Sequence, residues 1–138
     1  MKDELIKLLS SHNSADNGIF IPVKLEDYVE KIIENAQIIS LSEKGRVIAF
    51  IAYYNNDLNK KDAYLTMILV DKEYQSRGIG RNLLEFALKD LKKMKFESFK
   101  LEVLKSNQKA ISFYKLYGFS IIEDRGDLLL MEMKIQQV

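Results

Sequence analysis

The sequence predicts an α/β (α+β) domain: one mixed, largely antiparallel twisted sheet of six to seven strands flanked by about four helices. Three observations predict it. Apolar residues recur at helical spacing in residues 25–36, 78–94 and 107–117. Between and around these segments lie short runs with β character. Turn residues close hairpins near both ends of the chain, whereas the middle alternates strand with helix.

In chain order, Leu5, Leu8 and Leu9 suggest a short first helix, which residues 13–18 break. Ile19, Phe20, Ile21 and Pro22 form a candidate strand. Leu25, Tyr28, Val29, Ile32, Ile33 and Ala36 then fall at i, i+3, i+4, i+7, i+8 and i+11, the face of a packed helix. Residues 37–42 and 47–54 read as a hairpin turned at Glu43, Lys44, Gly45 and Arg46, followed by a polar loop over 55–61. Strand 63–70 precedes a glycine-containing loop. Alternation puts Tyr64, Thr66 and Ile68 on one face of it and Leu65, Met67 and Leu69 on the other. The helix over 78–94 carries Ile79, Leu83, Ala87 and Leu91. Phe99, Leu101 and Val103 mark a further strand. The next helix is expected to bury Ala110, Phe113, Tyr114 and Tyr117, with Asn107 or Ser106 as its cap and Gly118 as its left-handed stop. A last hairpin, 119–123 and 128–133, turns at 124–127.

A chain of 138 residues, 47% hydrophobic, supports one domain over 1–138 with a real core. With 21 basic and 20 acidic residues there is no basic field for nucleic acid. Cysteine is absent, which excludes a disulfide framework and a thiol nucleophile. The single histidine, His12, sits in a polar stretch and is read as solvated, so no metal site is expected. The longest apolar run, 47–54, is too short to span a bilayer, and the acidic start at Asp3 and Glu4 does not read as a signal peptide.

The most informative segment is Gln75, Ser76, Arg77, Gly78, Ile79 and Gly80, between an apolar strand and an apolar helix. A loop that opens a helix presents unpaired N–H groups and the positive end of the helix dipole, and glycines admit a bulky anion. That is a phosphate site in outline. It is not a P-loop, since no Gly-Lys-Ser/Thr follows, and Leu83 stands where a dinucleotide fingerprint needs its third glycine. By itself the pattern also fits a plain strand-to-helix turn.

A second segment, residues 107–119, changes the weighing. Gln75, Gly78 and Gly80 resemble the Gln/Arg-x-x-Gly-x-Gly/Ala motif of the GNAT superfamily of acyl-coenzyme A-dependent N-acetyltransferases. Asn107, Ala110, Tyr114, Gly118 and Phe119 resemble that family's Asn-x-x-Ala, Tyr and Gly-Phe positions about thirty residues downstream. The resemblance covers roughly 37–134. It implies acetyl-coenzyme A as co-substrate, an amine acceptor and a cytoplasmic enzyme, with no metal, no nucleic acid and no membrane partner. A homodimer is compatible with it.

The resemblance also distributes roles. The diphosphate falls to the amides of Arg77, Gly78, Ile79, Gly80 and Arg81, helped by Gln75, Ser76 and the two arginine side chains. Leu69 and Val70 occupy the strand positions along which the pantetheine arm lies, where a strand parting from its neighbour would free N–H groups. Asn107, Ala110 and Phe113 fall on the same arm, with helix capping as a compatible role for Asn107. Tyr114 matches the tyrosine near the sulfur; a phenol is protonated at neutral pH and can donate to a thiolate, while its apolar face also fits a core tyrosine. Glu102 is the candidate base. Leu101, Glu102 and Val103 followed by Asn107 and Tyr114 look like GNAT enzymes acting on a ribosomal-protein N-terminus, though a surface carboxylate or a water chain are alternatives. Tyr53, Tyr54, Tyr64 and Thr66 either border the acceptor or are ordinary strand residues.

Three acceptor readings stay open: a small amine metabolite first, a protein N-terminus or lysine second, and a non-catalytic acyl-coenzyme A sensor third. The chain departs from the family in its extra first helix, in Lys72 where proline is common and in Tyr117 where leucine is common.

Overall fold

A computed structural model describes residues 1–12 and 23–135. The elements run α1 (Lys2–His12), α2 (Leu25–Asn35), β1 (Gln37–Glu43), β2 (Arg46–Tyr54), β3 (Asp62–Val70), a 3-10 turn (Lys72–Tyr74), α3 (Ile79–Lys93), β4 (Ser98–Leu104), α4 (Gln108–Leu116), β5 (Ser120–Arg125) and β6 (Leu128–Lys134). The expected break at 13–18 and the candidate strand at 19–22 lie outside the described residues. Six strands form one sheet in the order β1-β2-β3-β4-β6-β5. Every neighbouring pair is antiparallel except β3 and β4, which run parallel as a crossover through α3 requires.

Local chemistry explains the boundaries. Lys44 and Gly45 take φ of 54° and 76°, so β1 and β2 join by a tight two-residue turn that a glycine eases. Asn107 caps α4 through its side-chain oxygen, which accepts from the Ala110 amide at 3.1 Å. Gly118, at φ 103°, ends that helix in a conformation few other residues adopt.

The sheet buries two apolar layers. On one face α3 and α4 cover Ala49, Ile51, Tyr53, Leu65, Phe99 and Leu101. On the other, α1 and α2 cover Val47, Phe50, Ala52, Met67 and Leu69. Tyr53 belongs to the first layer and not to any acceptor pocket. Its ring is fully buried, and its hydroxyl donates to Asp90 at 2.7 Å, tying β2 to α3. Phe119 is a buried core residue just before β5 rather than part of a strand.

Strict alternation along β3 fails. Tyr53 pairs with Leu65 and Ala52 with Met67, so Thr66 is an extra residue, a β-bulge. Leu65 therefore shares the α3/α4 face with Ile68 and Val70, while Met67 and Leu69 turn to the α1/α2 face. The sequence expectation placed Leu65 with Met67 and Leu69; the inserted residue resets the phase.

Candidate active site

The bulge sits where the sheet opens. β3 and β4 pair only from Asp62↔Ser98 to Leu65↔Leu101. Past that point both strands continue, to Val70 and Leu104, without pairing to each other. The Asp71 amide donates to Ile48 O at 2.8 Å on the β2 side. Because the peptide is trans, the Val70 carbonyl points the opposite way, where the Gln75 side-chain amide donates to it at 2.9 Å. Strand alternation sends the Val70 and Ile68 N–H groups to that same side, into the gap. Leu69, paired with Phe50, directs its main-chain groups to β2.

The loop after β3 delivers the start of α3 to the mouth of the gap. Asp71 accepts from Glu73 N at 3.0 Å and from the Arg46 guanidinium at 2.7 Å, which anchors the 3-10 turn. Ser76 and Gly78 then take φ of 65° and 78°, and Gly78 is the residue flanking α3. No side chain caps this helix and its first turn holds no acid. The first helical bond runs from Asn82 N to Gly78 O, which leaves the Ile79, Gly80 and Arg81 amides without intrahelical acceptors. Arg81 folds back toward Gly78, and Arg77 lies over the Tyr74 ring at 5.1 Å.

α4 forms the facing wall. The expectation that α4 buries Ala110, Phe113, Tyr114 and Tyr117 holds in part: all four pack against the core but are only half-buried and line the cavity, and Ile111 is the buried residue of the helix. The β3–β4 opening leaves them nothing to pack fully against. Phe113, Tyr114, Tyr117 and Phe119 form an aromatic chain with ring centroids 4.9 to 5.6 Å apart. Burial pushes the Tyr114 phenol well above its ordinary value, so it is a proton donor throughout the physiological range. Asn107→Ala is expected to cost about 1 kcal/mol of stability by loss of the cap, measured by urea unfolding.

On the other side of the gap lies a second group of side chains. Glu102 alternates with the core residues Leu101 and Val103 and so faces away from α3 and α4. Tyr64 lies beside it on the cavity wall, and its phenol is pushed up to about 12, by burial first and by the Glu102 charge second. The Arg125 guanidinium donates to Glu102 Oε2 at 3.2 Å. Tyr28, from α2, shares a 2.9 Å hydrogen bond with the bulge residue Thr66 and is also raised to about 12 by burial.

One open cavity of about 1270 Å³ runs through both sides. All of the sequence-predicted site residues line it: Leu69, Val70, Gln75, Ser76, Arg77, Gly78, Ile79, Gly80, Arg81, Glu102, Asn107, Ala110, Phe113 and Tyr114. Tyr28, Tyr54, Tyr64 and Thr66 line it as well. Lys31, Lys72, Arg77, Arg81 and Lys109 supply its positive charge, and Glu102 is the single acid of the lining among the described residues. Tyr28, Lys31, Lys109 and Arg125 escaped sequence reasoning. Lys109 had a signal, since it lies inside the Asn107 to Ala110 motif; the others depend on tertiary placement.

Comparison with known proteins bears on the same residues. The model of the acetyltransferase (GNAT) family matches residues 7–119. The chain belongs to the GNAT family. Against the [Ribosomal protein bS18]-alanine N-acetyltransferase of Escherichia coli K12 it is 36% identical over 80 residues, 58% of this chain and 52% of that protein. The chain thus spans about half the length of the curated relatives it matches. The crystal structure of the E. coli ribosomal-protein-S18-alanine N-acetyltransferase superposes with a TM-score of 0.73 at 26% identity, covering 95% of this chain and 89% of that one. The paiA N-acetyltransferase of Thermoplasma acidophilum, crystallised in complex with coenzyme A, shares the fold with a TM-score of 0.79 at 23% identity, over 96% and 92% of the two chains. As for other chemistry, no cluster of three or more metal-ligating side chains occurs among the described residues. Nor does any described helix have the length and apolarity to cross a membrane.

Proposed function

We propose that this GNAT chain transfers an acetyl group from acetyl-coenzyme A directly to a primary amine. The observation that carries the reading is the opening between β3 and β4. It has uncapped helix amides and a protonated tyrosine on one side, and a carboxylate on the other.

The coenzyme side fits its ligand. The Ile79, Gly80 and Arg81 amides and the surrounding cations suit a diphosphate. The Ile68 and Val70 N–H groups suit an amide-bearing arm laid along β3, and one of them can polarise the thioester carbonyl. The acceptor enters from the Tyr64 side. Its ammonium gives a proton to Glu102, and the free amine attacks the carbonyl carbon. A C–N bond forms and the C–S bond breaks; Tyr114 donates its proton to the departing thiolate, and the second proton of the acylated nitrogen is released to water, from which Tyr114 is reprotonated. No covalent enzyme intermediate is required.

For the acceptor, a small primary amine is the first reading. A protein N-terminus is the second, supported by the similarity to the alanine N-acetyltransferase and by the position of Glu102. Both present a single ammonium, which suits a cavity with one carboxylate. The test is coenzyme A release across a panel of amines and N-terminal peptides, with wild type and Glu102→Gln. The variant is expected to lose on the order of 10²-fold in kcat with its acetyl-coenzyme A KM retained. Wild-type-like turnover would remove Glu102 from the mechanism. Absence of release with every amine, alongside acetyl-coenzyme A binding, would favour a sensor.

A further inference from the structure

We infer that Arg125 is a positioning residue for Glu102, held in place by a fork on Glu123. This rests on the reading of Glu102 as the base. Arg125 is the last residue of β5, beside the two-residue turn to β6. Its Nη1 reaches Glu102 Oε2 at 3.2 Å, while Nε and Nη2 each lie 3.3 Å from a Glu123 oxygen. The planar guanidinium thus sets two nitrogens against an anchor and a third on the candidate base, a geometry that lysine cannot copy.

The strand register explains how a residue from the far edge of the sheet arrives here. Glu102 pairs with Leu130, and Leu130 pairs with Glu123. Ile122 is an extra residue in β5, and this bulge sets the register that places Glu123 opposite Leu130. Arg125 thus reaches from β5 across β6, where Leu130 is buried, to β4. The turn itself is pinned to the end of β4. The Lys105 ammonium lies 2.6 Å from Asp124, the Lys105 amide donates to Asp127 O at 2.9 Å, and the Gly126 amide donates to Asp124 Oδ1 at 3.1 Å. A turn tied to β4 by these contacts carries the arginine, and that arginine holds one oxygen of Glu102.

The other neighbours do not substitute for it. Tyr64 contacts Glu102 from β3, but as a neutral hydroxyl. Lys100, two residues before Glu102 on β4, is engaged by Asp62 at 3.5 Å and Glu132 at 3.8 Å. Of the groups that α2 contributes to the cavity, Tyr28 is bonded to Thr66, and Lys31 makes no ion pair with Glu102, whose ion-pair partner among the described residues is Arg125.

The test is steady-state kinetics of Arg125→Gln, Arg125→Lys and Glu123→Gln, and of Arg125→Gln combined with Glu102→Gln, using the amine that wild type acetylates best. Arg125→Gln is expected to lower kcat on the order of tenfold, with the acetyl-coenzyme A KM and the melting temperature unchanged. Arg125→Lys recovers part of the loss, and Glu123→Gln loses less than Arg125→Gln. On the Glu102→Gln background, Arg125→Gln adds nothing further. Unchanged kcat in Arg125→Gln beside an impaired Glu102→Gln would overturn the positioning role alone. So would an equal loss on both backgrounds. A fully active Glu102→Gln would overturn the base assignment and this inference with it. If Arg125→Gln does not fold, Arg125→Lys and Glu123→Gln decide: wild-type kcat in both rejects the role.

Discussion

Gly80→Glu abolishes acetyl-coenzyme A binding while leaving the fold intact. Gly80 is the second residue of α3, and its amide is one of the three without an intrahelical acceptor. A Cβ built there would meet Phe113 Cζ and Val70 Cγ2 at 3.8 Å, ordinary contact distances, so a side chain is accommodated. A carboxylate in the first turn of a helix complements its dipole, so the variant should be no less stable than wild type. The same carboxylate stands where the phosphates belong and repels them. The measurement is the melting temperature with and without acetyl-coenzyme A. Wild type gains stability by mass action, about 2.7 kcal/mol when the ligand stands at a hundred times its Kd, and the variant gains none. Gly80→Ala is the control and should keep most of the shift. An undiminished shift in Gly80→Glu would mean that the amides at the start of α3 do not hold the coenzyme.

Tyr114→Phe should reduce kcat on the order of 10²-fold at an unchanged acetyl-coenzyme A KM. The substitution deletes one oxygen. The ring keeps its edge contacts with Phe113 and Phe119, at centroid separations of 5.5 and 5.6 Å, so packing survives. No described residue accepts a hydrogen bond from that hydroxyl in the hydrogen-bonded network around it. Stability should therefore stay near wild type. What disappears is a donor beside the departing sulfur. Burial holds the phenol protonated, so the wild-type rate should show no alkaline loss from this group below about pH 10. Equal turnover in wild type and variant would return Tyr114 to a packing role.

The coenzyme half of this cavity was legible in the sequence because its determinants are local. Gln75, Gly78 and Gly80 lie in one loop, and Asn107, Ala110 and Tyr114 lie on one helix. The acceptor half was legible only in part: Glu102, Tyr54, Tyr64 and Thr66 were candidates and line the cavity, but their arrangement was hidden. Tyr64 fitted an ordinary strand residue as well as an acceptor neighbour, and its place beside Glu102 depends on β3 and β4 standing side by side. Arg125 looked like a turn residue, since nothing local reveals that β6 lies between β4 and β5. Thr66 defeated the alternation along β3, because a bulge is an insertion relative to a partner strand and has no mark of its own in the chain. Spacing alone read the aromatic face of α4 as buried, and only the motif match put Ala110, Phe113 and Tyr114 on the coenzyme: helical spacing reports which residues share a side, and not whether a neighbour or an open cleft lies opposite.

Under the proposed function, the opening between β3 and β4 divides labour between two banks of one cavity. In the proposed reaction, residues 69–81 and α4 hold the donor molecule, while α2, the outer face of β4 and the β5–β6 turn meet whatever receives the group. Substitutions on the receiving bank can therefore accumulate without loosening the nucleotide grip. Divergence of such proteins toward new recipients need alter only one shore of the channel.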